Sequence, residues 1–141
     1  MNRPKLYVEL NGPVLLPSED AHDPLLHHMV IAPYAKPFLH WATQHFDVQW
    51  LTDRSPRDAF NVAKRLDIPT DKIPVRGFDV TKTEVLRPQE NFFWVDCELI
   101  PDEVAWLAKH GHFDRFVSVD PLKGVTPEHK EALEAALKKR K

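Results

Sequence analysis

The chain has a single cysteine, Cys97, in 141 residues, so no disulfide can form within it. One unpaired cysteine fits a reducing compartment. No apolar stretch approaches the length of a signal-peptide core or a membrane span, and a cytoplasmic location with no membrane partner is the expectation. Charge of one sign is also lacking. The formal net charge is −2, which supplies no overall basic field for nucleic acid or an anionic membrane. The local run Lys138-Lys139-Arg140-Lys141 reads as a solvated helix end whose charges suit a helix C-terminus. Glycines number only four, whereas thirteen prolines are spread along the chain, where they punctuate elements and do not mark a disordered linker. No repeat and no low-complexity tract is present. The length suits one domain, residues 1–141, with one core.

What is present alternates in period. Leu6 to Leu10 is a short apolar run ended by Asn11-Gly12-Pro13, a strand entering a turn. Residues 14–34 read mostly as loop, a flap, with a short strand at Met29 to Ala32. Pro37 to Phe46 reads as a helix and Val48 to Thr52 as a strand. Ser55 is a good N-cap, with Pro56 and Asp58 fitting the first turn of a helix to Leu66. Strands follow at Ile73 to Arg76, Phe92 to Val95 and Phe116 to Val119. Helices follow at Pro101 to His110, stopped by Gly111, and from Pro127 to the C-terminus, 127–141. Apolar strands alternating with helices predict an α/β fold with a parallel sheet covered on both faces. In such sheets ligands bind beyond the carboxyl ends of the strands.

The residues at those ends have a chemical logic. Glu9 and Asp96 could hold a hard divalent cation such as Mg2+ through oxygen ligands. Thr52, Asp53 and the free N–H groups that start the Ser55 helix could hold phosphate oxygens. Lys82 could neutralise the phosphate or hold a carboxylate.

These motifs resemble the haloacid dehalogenase superfamily. Its first motif, an apolar strand followed by Asp-x-Asp-Gly-Thr/Val, is similar to Val8-Glu9-Leu10-Asn11-Gly12-Pro13-Val14. Its second, a strand ending in Thr or Ser, is matched by Gln49-Trp50-Leu51-Thr52, and its lone lysine by Lys82. Its fourth, an apolar strand ending in acidic residues, is matched by Phe93-Trp94-Val95-Asp96-Cys97-Glu98. The resemblance runs from about Leu6 to Leu137, and Phe38 to Pro69 and Phe92 to Val125 look like small bacterial and phage members, some linked to RNA-repair domains. It implies a Rossmannoid three-layer sandwich with a central, mostly parallel five-stranded sheet. The spans between the motifs are too short for a cap domain, which in this family implies an open site and large substrates or partners.

The departures from the family pattern bear on activity. The family's nucleophilic and acid–base aspartates are replaced by Glu9 and Asn11. One added methylene moves the attacking oxygen by more than about an ångström, and such misplacement costs roughly a hundredfold. Asn11 cannot carry the catalytic proton, a loss of about 10²–10⁴-fold. Oxygens of Glu9, the Asn11 carbonyl and Asp96 remain as metal ligands. Three readings follow. The first is a divergent pseudoenzyme with little or no phosphatase activity that binds a phosphate-bearing ligand or a macromolecular partner. The second is an active Mg2+-dependent phosphohydrolase with an altered nucleophile. The third is an accessory interaction module linked to nucleic-acid repair, with nucleic acid itself left open.

Each residue also has a plainer reading. Glu9 can be a buried acid paired with Lys82 or another base, Asn11-Gly12 a turn, and Thr52 a strand end. Asp96 and Glu98 can face the positive end of the next helix, and Lys64 and Lys72 compete with Lys82. Cys97 lacks the following arginine of a cysteine phosphatase loop. His27-His28 read as loop decoration, and the four tryptophans as core.

Overall fold

A computed structural model describes residues 3–139, so Arg140, Lys141 and the expected end of the last helix lie outside the described residues. In chain order the elements are β1 (Lys5–Val8), β2 (Leu15–Pro17), β3 (Met29–Ile31), α1 (Ala35–His45), β4 (Asp47–Leu51), α2 (Pro56–Arg65), β5 (Val75–Arg76), β6 (Phe92–Asp96), α3 (Pro101–His110), β7 (Phe116–Ser118) and α4 (Pro127–Lys139).

β1, β4 and β6 carry apolar residues on both faces because both faces are covered. They form the centre of a five-stranded sheet of order β5-β4-β1-β6-β7, in which every pairing is parallel. Alternation along the strands divides the core. Leu6, Val8, Val48, Trp50, Phe93 and Val95 face the layer that holds buried residues of α1, α2 and α4. Tyr7, Leu51, Phe92 and Trp94 face the opposite layer, where Leu107 of α3 and Leu86 cover them. The result is a three-layer α/β sandwich with no cap domain among the described residues. No helix among them is long and apolar enough to cross a membrane.

Local sequence explains most element ends. The Ser55 hydroxyl accepts the Asp58 N–H at 3.1 Å and starts α2. Gly111, at φ 66°, ends α3. α1 starts at Ala35, two residues before the expected Pro37, because a first-turn residue has no intrahelical acceptor for the N–H that proline lacks. The segment read as loop contains β2, which pairs antiparallel with β3 through Leu15↔Ile31, Leu16↔Val30 and Pro17↔Met29. Three residues ending in proline give too short a pattern for the period of two to show. The hairpin buries Val14 and Leu15, so the flap is packed at its base.

The topology places the site. The chain runs from β1 to β4 and β5 on one side, then returns past β1 to β6 and β7 on the other. The direction therefore reverses at β1, and the crevice of such a sheet opens beyond the ends of β1, β4 and β6.

Candidate functional site

Glu9 follows β1, Thr52 follows β4 and Asp96 ends β6. These three strands are adjacent, so the fold brings the three side chains to one edge. All three residues are buried. The Thr52 hydroxyl donates to Glu9 Oε1 at 2.7 Å, and the Asn11 N–H reaches the same oxygen at 3.1 Å. The Lys82 ammonium lies 2.9 Å from Glu9 Oε2 and 2.6 Å from Asp96 Oδ2, bridging the two carboxylates. Of the competing lysines, Lys64 instead sits over the Phe60 ring, and Lys72 borders a separate cavity with Arg3.

Lys82 is held by carboxylates that sequence reasoning did not assign to the site. Glu103, buried in the first turn of α3, accepts the backbone N–H of Lys82 at 3.0 Å and of Ile100 at 3.1 Å. Glu84 accepts the N–H groups of Asp79, Val80 and Thr81 within 2.9 Å. Together they fix the short 3-10 turn Lys82–Glu84 on which the lysine rides. A glutamate three residues after Ile100, at the start of a helix, was a readable signal for Glu103. Trp94, read only as core, also donates from Nε1 to Asp96 Oδ2 at 3.2 Å.

Burial pushes the Glu9 carboxyl above the ordinary glutamate range, against the pull of Lys82 and Thr52. Burial pulls the Lys82 ammonium down, but Asp96 and Glu9 outweigh it and hold its proton more tightly than in a free lysine. Asp96 Oδ1 accepts the N–H of Cys97 at 2.7 Å and of Glu98 at 3.4 Å. Burial and Asp96 push the Cys97 thiol up to about 11, so it stays protonated at neutral pH. Its sulfur lies 3.6 Å from the Asn11 carbonyl oxygen and acts as the donor there. Gly12, at φ 100°, is required beside it, since a Cβ there would come within 2.7 Å of Cys97 Sγ.

The Asn11 side chain turns the other way. Its Oδ1 accepts Arg54 Nε at 2.6 Å, and the same guanidinium lies 3.5 Å from Asp58 Oδ2. The Arg54 N–H donates to Thr52 Oγ1 at 3.1 Å. Arg54, two residues past Thr52, was not singled out from the sequence. Asp53 is exposed on the rim of the crevice, where only its backbone N–H suits a phosphate oxygen and its carboxylate opposes one. The crevice is an open cleft of about 300 Å³ that reaches from Glu9 and Asp96 to Phe78, Val80 and Ile100. Among the described residues, no group of three or more His, Cys, Asp or Glu is arranged to hold a metal ion.

No protein-family model matches the sequence, and no curated protein matches it. Among solved structures, the fold is similar to a haloacid dehalogenase-like family hydrolase from Streptococcus pneumoniae. The TM-score is 0.54 at 11% identity, over 92% of this chain and 90% of that one. It also overlaps DsGPDH of Dunaliella salina, with a TM-score of 0.48 at 12% identity, over 91% of this chain and 26% of that one. The parallel sheet and the overlap along nearly the whole of both chains agree: the chain has the fold of a haloacid dehalogenase-like hydrolase core, with no cap domain among the described residues.

Proposed function

We propose that this chain is a divergent protein on a phosphatase fold that binds a phosphate-bearing ligand in the β1–β4–β6 crevice with little or no turnover. One observation carries the reading. Glu9, at the nucleophile's position, has Oε1 engaged by Thr52 and Asn11 and Oε2 engaged by Lys82. An attacking carboxylate oxygen needs a lone pair aimed at phosphorus, and three donors of the chain compete for those of Glu9. Asn11 supplies no proton, and its side-chain oxygen is committed to Arg54.

The same geometry supports anion binding at one end of the crevice. Asn11 is neutral, so it orients the Arg54 guanidinium without adding a second negative charge to that of Asp58, 3.5 Å away. Arg54 stands beside the N-terminus of α2, whose dipole favours a phosphate; Pro56 has no N–H to give there, and the Asp58 N–H goes to Ser55. The opposite end carries Glu98 and the apolar side chains of Val80 and Ile100. The ligand this suits presents one phosphate to Arg54 and a less charged body to the apolar end. A second reading, a macromolecular partner, is favoured by the exposure of Val80, Ile100 and Val104 at 68%, 40% and 39% beside the opening.

Thermal unfolding with inorganic phosphate, vanadate and a nucleoside monophosphate tests the first reading. A ligand that binds only the folded state raises the midpoint with concentration. The expected result is a dose-dependent rise that Arg54→Ala abolishes. A flat midpoint to millimolar ligand, or a rise that survives Arg54→Ala, contradicts it.

A further inference from the structure

The carboxylates that would hold a divalent cation in this fold are already engaged by donors of the chain itself. Glu9 Oε1 accepts the Thr52 hydroxyl and the Asn11 N–H, and Oε2 accepts the Lys82 ammonium. Asp96 Oδ2 accepts Lys82 and the Trp94 indole N–H, and Oδ1 accepts the N–H groups of Cys97 and Glu98. That is seven donor contacts on four oxygens. Two carboxylates offer only about eight lone-pair directions between them. The third candidate ligand, the Asn11 carbonyl, takes the Cys97 thiol.

Mg2+ demands near-octahedral oxygen ligands at about 2.0–2.1 Å and dehydrates reluctantly. To bridge both carboxylates it would have to displace the Lys82 ammonium from between them, which would leave a largely buried charge unpaired. The charge argument agrees. Two carboxylates facing one ammonium leave a single net negative charge, half of what the bare pair would offer a cation.

We propose that Lys82 is the resident cation of this site: its ammonium occupies the place between Glu9 and Asp96 that a divalent metal would take, and the site is complete without one. Glu103 and Glu84 hold the Lys82 turn in position, so the cation is built in by fold and not by a flexible side chain arriving from solvent. This inference concerns the two carboxylates alone and stands whether or not the crevice takes a phosphate.

Mn2+ as a paramagnetic stand-in for Mg2+, read by water-proton relaxation on the purified chain, tests it. The wild type is expected to show no saturable Mn2+ binding up to millimolar metal. Lys82→Met frees the carboxylate pair and is expected to bind Mn2+ more than about tenfold tighter, with the gain removed by adding Asp96→Asn. Lys82→Gln, which keeps a donor, serves if the methionine variant does not fold. Saturable wild-type binding that Asp96→Asn abolishes overturns the inference. So does a folded Lys82 variant that gains no metal affinity. Unchanged wild-type relaxation with a gain in the variant supports it.

Discussion

The two ends of the crevice are built differently. At the Lys82 end the charges are buried and engaged on several sides. Asp96 and Glu103 are almost inaccessible, and the lysine is clasped by two carboxylates while its backbone is tied to α3. At the Asn11 end the ties lie nearer to solvent. Arg54 bridges Asn11 and Asp58, and His27 of the flap reaches Asp58 at 3.2 Å; farther along, at the last residue of α2, Asp23 pairs with Arg65 and holds the flap against the helix. Low local dielectric makes the first set costly to break, whereas exposed pairs are screened and worth little. One end therefore fixes a charge pattern, and the other is free to adjust to what enters.

The contrast is tested most strongly at Lys82. Lys82→Met leaves two buried carboxylates facing each other, and a loss of about 3–5 kcal/mol in urea unfolding is expected. A loss below about 1 kcal/mol would put the Lys82 end on the same footing as the exposed pairs. The pH dependence has a defined sign. In the wild type the folded lysine holds its proton above the ordinary value. Its contribution is therefore fully present below the unfolded lysine pKa of about 10.4 and is lost only as pH rises through the higher folded value. In the variant, mutual repulsion raises the carboxylate pKa values, so its deficit should shrink as pH falls toward the carboxylate range.

Glu103→Ala comes next. It leaves the backbone N–H groups of Lys82 and Ile100 without their acceptor, and a loss of about 1–3 kcal/mol is expected by the same measurement. A neutral result would mean that the turn carrying Lys82 is held by Glu84 alone. The smallest effect belongs to Asp23→Ala. Global stability should stay unchanged, while limited proteolysis within residues 18–28 should speed up. Arg65 holds the Asp23 carboxyl below its usual range, so this tie persists above the unfolded pKa and weakens as pH falls through the lower folded value. Unchanged cleavage would show that the hairpin core, not the Asp23–Arg65 pair, holds the flap.

The sheet was readable in the sequence because its central strands are apolar on both faces and its helix starts carry strong signals. Ser55-Pro56 is one such signal, and the Pro101 helix begins and ends as read. The site was readable at Glu9, Thr52, Lys82 and Asp96 because each lies at or just beyond a strand end or in the segment before β6, and the topology does the gathering. Glu103 and Glu84 stand three residues into their turns, a capping spacing that was there to be read. Arg54 was not singled out, since its contacts to Asn11 and Asp58 depend on turn geometry. The β2–β3 hairpin escaped for a related reason. Short strands rely on their partner, and Leu15 and Ile31 are separated by a segment whose course the local sequence does not dictate. Asp53, read with Thr52 as a phosphate contact, lies exposed on the rim of the same crevice.

The central proposal is that, with Glu9 and Asn11 in these positions, the crevice has little or no phosphatase turnover. Steady-state hydrolysis of a generic aryl phosphate, with and without Mg2+, by the wild type and by Glu9→Ala tests it most directly. The two proteins should turn over at the same background rate in both conditions. A wild-type rate well above background that Glu9→Ala removes would show that the buried glutamate still attacks phosphorus, and would contradict the account.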